Sequence, residues 1–225
     1  MLEFVLLAVL YAQQPPSPFG KPPAQAIEKV GDNLYKIGAI EVDTARRTLT
    51  VSGFSNDVTT LEFIANTVGG AKAYESALTL DTNAVKFNAA LMLLGLDPSH
   101  ARRAAYHLDP AAPAGDTVDI TVEFTRRGEN VRINASELIY DTPAREVLPG
   151  TTWVYTGSAF INQVGYLADI DGVLIGFVHS PAPVIESPRG LGTRRYGDLV
   201  LNPNLGLAAG TPVRLTVRAI SVTQK

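Results

Sequence analysis

Residues 34–53 alternate between apolar and polar positions with the two-residue period of a β-strand. In residues 34–41 every second side chain falls on the same face, and residues 48–53 are apolar at every second position. A charged run over residues 43–47 separates the two stretches. This pattern predicts two half-buried strands joined by a turn.

The same period recurs through the second half of the chain. Residues 118–124 alternate cleanly, and residues 130–134 face them across a charged turn. The other predicted strands cover residues 58–68, 151–160, 174–178, 198–201 and 212–222. Gly69-Gly70 ends the first of these. Strands therefore dominate the prediction.

One segment follows the helical period instead. Residues 82–94 place apolar side chains on two neighbouring stripes, with Asp81 as a cap, Gly95 at the end and Pro98 beyond it. A weaker helical turn is predicted over residues 99–107. The fold class predicted is α+β, predominantly antiparallel β and sandwich-like, with one buried helix near residues 82–95.

The N-terminal region differs in composition from the rest of the chain. Residues 1–12 carry a short apolar run ending at Ala12, which predicts a signal peptide and a periplasmic or extracellular location. Residues 13–25 are rich in proline and predict an extended spacer. Residues 26–225 are predicted to form a single β-rich domain. A span needs about 20 apolar residues, so no membrane span is expected in the mature chain.

Composition removes several classes of function. None of the 225 residues is cysteine, which excludes disulfides, iron–sulfur clusters, cysteine-ligated zinc and thiolate nucleophiles. The net charge is −3, so the chain lacks the excess of basic residues that is typical of a nucleic-acid-binding protein. We expect no cofactor, no nucleic-acid partner and a fold that depends on packing.

Several segments, taken in order, resemble the YdjY-like domain family. They are Val30–Gly38, Ile40–Asp43, Gly69–Ser76, Ala89–Leu96 and Pro149–Ser158. The resemblance implies that residues 26–225 form one YdjY-like domain, and it implies a fold and a context rather than a reaction. Relatives described as ferredoxin-like imply an iron–sulfur cluster, which a chain without cysteine cannot build.

The family's Gly-Lys-x-His-Glu-Ser segment corresponds to residues 71–76 here, with Tyr74 in place of the histidine. Tyrosine retains a ring and a polar atom but loses a metal ligand and a base that titrates near neutral pH. A mechanism that needs the histidine is therefore not expected in this chain.

The same segment supplies the candidate site. If residues 72–80 form a strand, Lys72, Tyr74 and Ser76 share one face, and Glu75 lies on the other among small residues. Glu75 is then either a partly buried general base or ligand anchor, or a carboxylate that is paired with an arginine or solvated. Trp153 either packs in the core or shares a sugar- or peptide-binding platform with Tyr74. The predicted ligand-binding residues are Lys72, Tyr74, Glu75, Ser76 and Trp153.

Other motifs have simpler interpretations. His100 and His107 are seven residues apart, a spacing that does not chelate one ion on a helix, so no metal site is predicted. No Gly-x-Ser-x-Gly elbow nominates a catalytic serine. Residues 169–172 predict a hairpin turn rather than a calcium loop, and residues 190–197 predict a surface loop.

Two functional hypotheses follow. The first is an exported, envelope-associated binding or scaffold domain without catalysis, whose partner is an unknown envelope protein, peptide or glycan. The alternative is a cofactor-free hydrolase or isomerase that uses Glu75 with Lys72, Tyr74 or Ser76 beside it. The enzyme hypothesis predicts a concave pocket around Glu75 on which His107, His179 or an arginine converges.

Overall fold

The computed structural model describes residues 27–189 and 196–221. The predicted signal peptide (1–12), the predicted spacer (13–25) and residues 190–195 of the predicted surface loop lie outside the described residues. The described strands are β1 Ile27–Lys29, β2 Leu34–Ile37, β3 Ile40–Asp43, β4 Thr48–Ser55, β5 Phe63–Thr67, β6 Ser76–Leu80, β7 Asp116–Arg126, β8 Glu129–Asn134, β9 Ile139–Asp141, β10 Glu146–Val147, β11 Trp153–Tyr155, β12 Phe160–Ile161, β13 Gly165–Tyr166, β14 Val173–Gly176, β15 Ile185–Glu186, β16 Leu199–Leu201 and β17 Pro212–Ser221. The described helices are α1 Ala84–Leu93 and α2 Leu167–Asp171. Neither is long and apolar enough to cross a membrane.

Eight strands close into a barrel. Their order is β4-β17-β7-β11-β15-β14-β5-β6, and β6 pairs back onto β4. The pairs β5–β6 and β14–β15 are parallel, and the other pairs of the ring are antiparallel. The β-rich, mostly antiparallel prediction is confirmed in this coarse form. The sandwich-like arrangement is not, because one sheet curls onto itself instead of two sheets stacking.

Further strands extend the barrel wall. β3, β2 and β1 continue the sheet outward from β4, and β8 pairs with β7. Strands β10, β9 and β16 form a separate small sheet, and β12 with β13 forms a hairpin. The turn between β3 and β4 lies in the charged run predicted from the sequence.

Alternating side chains fill the barrel. Along β7, Val118, Ile120 and Val122 are fully buried while the residues between them are half-buried. On β17, Leu215 and Val217 are buried in the same way. An eight-stranded barrel has an interior just wide enough for such side chains to fill. The strand period read from the sequence therefore separates the core from the outer wall.

The predicted helix is present as α1. Asn83, not Asp81, caps it, and the Asn83 Oδ1 accepts a hydrogen bond from the Lys86 backbone N–H at 2.9 Å. Phe87 and Leu91 are fully buried, and the helix packs against β3, β14 and α2. The expectation of a helix packed on several sides is confirmed. The helical turn predicted over residues 99–107 is reduced to one 3-10 turn at Pro98–His100.

The hairpin predicted at residues 169–172 is wrong. Asp171 ends α2, and Gly172 follows it in the left-handed region at φ +71°. Glycine adopts this conformation without the steric penalty that a Cβ brings, so the Asp-Gly pair ends a helix here. β14 then begins beside β5, not beside the strand that precedes α2.

Two connections join the parallel pairs. Residues 68–75 lead from β5 to β6, and residues 177–184 lead from β14 to β15; we call them the first and second crossovers. The second lies close to the sheet, because a Cβ added at Gly176 would lie 2.6 Å from the Pro183 Cγ. Glycine at this position therefore permits the close approach.

A buried carboxyl group on β15 is hydrogen-bonded to the second crossover. Glu186 on β15 is fully buried, and its Oε1 accepts a hydrogen bond from the Ser180 backbone N–H at 2.8 Å. Its Oε2 is also buried and has no hydrogen-bond partner among the described residues. Burial raises the pKa of Glu186 to about 8, and the charge of Asp109 contributes to the rise.

Barrel closure predicts the effect of a substitution at Gly53. This residue pairs with Val213 of β17 on one side and with Leu80 of β6 on the other. A Cβ there would overlap the Thr79 carbonyl oxygen and lie 2.9 Å from the Leu80 Cδ2. We expect Gly53→Ala to lower the free energy of unfolding by about 1–3 kcal/mol, because the backbone at the seam must shift. Urea unfolding measures this change.

Ser52→Ala is the matched control, since the Ser52 side chain is exposed on the neighbouring position of the same strand. It should change the free energy of unfolding by less than about 0.5 kcal/mol. Equal stability of the two variants would show that the seam at Gly53 does not constrain the barrel.

The buried Glu186 predicts a dependence of stability on pH. The folded state keeps the proton up to about pH 8, whereas the unfolded chain releases it above the ordinary value of 4.5. The stability contribution of this group is therefore lost as pH rises from about 4.5 to 8. We expect Glu186→Gln, which cannot ionise, to gain stability relative to the native chain over this range, on the order of 2–3 kcal/mol by pH 7.

Chemical unfolding at a series of pH values checks this expectation. Glu129→Gln, at an exposed position on β8, is the control and should follow the native chain at every pH. If the stability of Glu186→Gln also followed that of the native chain at every pH, ionisation of the buried carboxyl would not destabilise the fold.

Candidate functional site

A cleft with a volume of about 560 Å³ lies between the two crossovers. The first crossover, the second crossover, the start of β5 and α2 each contribute to its wall. Its lining residues are Glu62, Phe63, Lys72, Tyr74, Glu75, His107, Leu167, Asp171, Ser180, Pro181, Ala182 and Tyr196. Two parallel strand pairs thus place polar and aromatic side chains around one concavity.

Glu75 lies in this cleft as half of an ion pair. The Lys72 Nζ is 2.7 Å from the Glu75 Oε1, and the Glu75 side chain is only 4% exposed. The segment is a 3-10 turn at Ala73–Glu75 followed by β6, not one strand over 72–80. A 3-10 turn places residues three apart on the same side, so Lys72 reaches Glu75 directly. Glu75 is paired, but with a lysine of its own turn rather than with an arginine on a neighbouring strand.

The Lys72 ammonium has a second neighbour. Its Nζ donates a hydrogen bond to the Tyr74 hydroxyl at 3.3 Å and lies 5.6 Å from the centre of the Tyr74 ring. The close contact with the Glu75 carboxyl group is the main reason that the pKa of Lys72 is raised. Lys72 is therefore an ammonium at neutral pH, and it is held against the Glu75 carboxyl group and the Tyr74 ring.

The other predicted ligand-binding residues have different positions. Ser76 is fully buried, and its hydroxyl donates to the Lys72 backbone oxygen at 2.7 Å, which fixes the turn. Trp153 is 1% exposed and packs in the barrel core on β11. Tyr74, in contrast, is 59% exposed in the cleft wall. The two rings therefore share no surface platform, because the alternation along β11 turns Trp153 inward.

Glu62 belongs to the site although the sequence analysis did not select it. It precedes β5, and its backbone N–H donates to the Glu75 backbone oxygen at 2.9 Å. Burial, and after it the charge of Glu75, raise the pKa of Glu62, against opposing effects of His107 and Lys72. The sequence signal that could have identified Glu62 was a charged residue between two apolar residues, Leu61 and Phe63.

His107 reaches the cleft on a tightly fixed turn. Leu108 has a left-handed backbone at φ +64°, and its N–H donates to the His179 backbone oxygen at 2.8 Å. The Asp109 carboxylate accepts hydrogen bonds from the Ala105 and Ala111 backbone N–H groups at 2.8 and 2.9 Å. These two bonds are the main cause that lowers the pKa of Asp109. The turn therefore holds His107 at a defined place.

The buried His179 ring holds this turn in place. It is 1% exposed, with Nδ1 at 2.9 Å from the Asp109 backbone oxygen and Nε2 at 3.2 Å from the Ser187 backbone oxygen. The ring thus joins the His107 turn to the end of β15. Of the two histidines that the enzyme hypothesis named, His107 lines the cleft, and His179 holds its turn in place.

The arrangement is rich in acidic oxygen. Three carboxylates, from Glu62, Glu75 and Asp171, face one ammonium, from Lys72. Within residues 27–189 and 196–221, neither Glu62 nor Asp171 forms an ion pair. No group of three His, Asp or Glu side chains with metal-binding geometry occurs in the same ranges. The cleft can accept hydrogen bonds, pair with a cation and exchange protons.

Comparisons with known proteins place the chain in a family. Searches among curated proteins and solved structures gave no match. The model of the YdjY domain matches residues 40–218, from the first residue of β3 into β17. This range includes every residue that lines the cleft. The chain therefore belongs to the YdjY domain family.

Proposed function

We propose that this chain is an exported, envelope-associated binding domain whose cleft between the crossovers receives a small polar ligand or a segment of a peptide or glycan. One observation carries the proposal: the same cleft holds an ion pair between a partly exposed lysine and a buried glutamate, a half-buried carboxylate and two exposed tyrosines. Aromatic faces beside hydrogen-bonding groups are typical of sites that bind an amphipathic ligand.

The fixed surroundings of the cleft favour binding over a merely solvated groove. The Lys72–Glu75 pair, the Ser76 hydroxyl and the His107 turn each hold a lining segment in place. A pre-organised wall loses little conformational freedom when a ligand binds, so more of the contact energy contributes to affinity. Tyr74 and Tyr196 are 59% and 63% exposed, so both rings are accessible to a ligand.

A ligand screen with tyrosine variants tests this proposal. The purified domain is screened against glycans and short peptides by thermal shift, and each hit is titrated by calorimetry. Tyr196→Ala should weaken a hit at least about fivefold, because an aromatic contact contributes about 1 kcal/mol or more to binding.

Tyr106→Ala is the matched control. Tyr106 is 56% exposed and adjoins His107, yet it does not line the cleft. Its substitution should leave affinity unchanged. Hits that bind Tyr196→Ala as tightly as the native chain would place the binding surface elsewhere.

A second candidate function is supported by the different surroundings of the two glutamates. Glu75 is paired with an ammonium, whereas the pKa of Glu62 is raised by burial and by the charge of Glu75. Carboxylates in contrasting environments are typical of acid–base catalysis. A cofactor-free hydrolase or isomerase would use Glu75 as base or nucleophile, with Glu62 or His107 transferring the proton.

The variant Glu75→Gln separates the two functions. A catalyst would lose turnover by about a hundredfold or more, because general acid–base catalysis contributes at least that much. A binding domain would turn over no substrate in either form. Activity is measured on any ligand that the screen identifies, and circular dichroism establishes that the variant is folded. Equal turnover by the variant and the native chain would remove Glu75 from any mechanism.

A further inference from the structure

The wall of the cleft includes a cationic side chain of the protein, that of Lys72. The Lys72 ammonium lies 2.7 Å from the Glu75 Oε1 and 3.3 Å from the Tyr74 hydroxyl, 5.6 Å from the centre of the Tyr74 ring. Carboxylate, phenol and aromatic face together are the groups that bind a primary ammonium. This side chain therefore shows which chemistry suits the cleft wall.

Beside this pair is a second carboxylate, which forms no ion pair with any residue that the structure describes. Glu62 is half-buried, and its backbone is hydrogen-bonded to that of Glu75 at 2.9 Å. In the described part of the chain no lysine or arginine forms an ion pair with it. The raised pKa of Glu62 agrees with this geometry, since burial and the charge of Glu75 both disfavour ionisation. A cation placed at Glu62 would offset that cost.

Asp171 and Tyr196 complete the wall around Glu62. Asp171, at the end of α2, adds a third carboxylate, which has no ion pair among the described residues, and Tyr196 adds an exposed ring. Among the described lining residues, three carboxylates stand against one lysine, an excess of two acidic side chains. A cationic ligand matches this imbalance better than a neutral sugar or an anion does.

We propose that Glu62 receives the cationic nitrogen of the ligand, an ammonium or guanidinium group, while the ligand's carbon chain lies against Tyr196 and Tyr74. The proposal rests on the proposed binding function and defines the chemical class of its ligand. Lys72 remains in its ion pair with Glu75 and borders the binding surface.

Calorimetry with a simple cation tests the assignment on the purified domain. Putrescine is the probe, and butanediol, which has the same chain and no charge, is its neutral counterpart. We expect saturable binding of putrescine and none of butanediol. Added salt should weaken the binding because it screens the charge pair.

The variant Glu62→Gln keeps the size of the side chain and removes its charge. It should weaken putrescine binding at least about tenfold, since it removes the charge that strengthens the hydrogen bond to the ligand's ammonium. Glu123→Gln is the matched control, because Glu123 is a partly exposed carboxylate on the outer face of β7, away from the cleft lining. It should bind as the native chain does. Thermal melts monitored by circular dichroism establish that both variants are folded.

Three results would overturn the inference: no saturable binding of putrescine to the native chain, equal binding of butanediol, or unchanged affinity in Glu62→Gln. The proposed binding function fails separately, since it depends on the glycan and peptide screen. A neutral glycan whose binding requires Tyr196, in a protein that ignores putrescine, would refute the cationic ligand and retain the binding domain.

Discussion

The closed ring of eight strands is the constraint from which the other features follow. A chain direction followed around a closed ring must return to itself, so the number of antiparallel neighbours in the ring is even. In a ring of eight strands, one parallel pair therefore requires a second. The two are β5–β6 and β14–β15, and the seam between β4 and β6 at Gly53 completes the circle.

Parallel neighbours cannot be joined by a tight hairpin, so each pair needs a chain segment that returns to the starting end. The first crossover carries Lys72, Tyr74 and Glu75, and the second carries Ser180 and its neighbours. The cleft lies between these two segments. The geometry of closure thus produces a concave surface on a barrel whose interior is filled.

Buried charge then determines the character of that surface. Removing a carboxylate from water is costly unless it gains a partner. Glu75 gains one from Lys72, whereas burial raises the pKa of Glu186 to about 8, and the Glu186 Oε1 accepts a hydrogen bond from the Ser180 N–H. Glu62 is half-buried and forms no ion pair within residues 27–189 and 196–221. Of these three, only Glu62 and Glu75 line the cleft, and together with Asp171 they give it its acidic character.

The sequence alone determined local structure and composition. The two-residue period predicted β7, β8 and β17, because an alternation of buried and exposed side chains is a local property of a strand. The stripes of residues 82–94 predicted α1 for the same reason. The resemblance of several segments in order predicted the YdjY family, which the family model confirms. The Lys72–Glu75 turn was also within reach, since its residues adjoin in sequence.

Only the tertiary structure decided how these elements combine. Strand period does not distinguish a sandwich from a barrel, since both bury every second side chain; the pairing of β6 with β4 separates them. Glu62 joins Glu75 because β5 and β6 run parallel, and His107 joins both through a turn fixed by His179. Trp153 faces inward because of its register on β11. Each of these facts depends on contacts between residues distant in the chain, and a pattern of neighbouring residues holds no information about them.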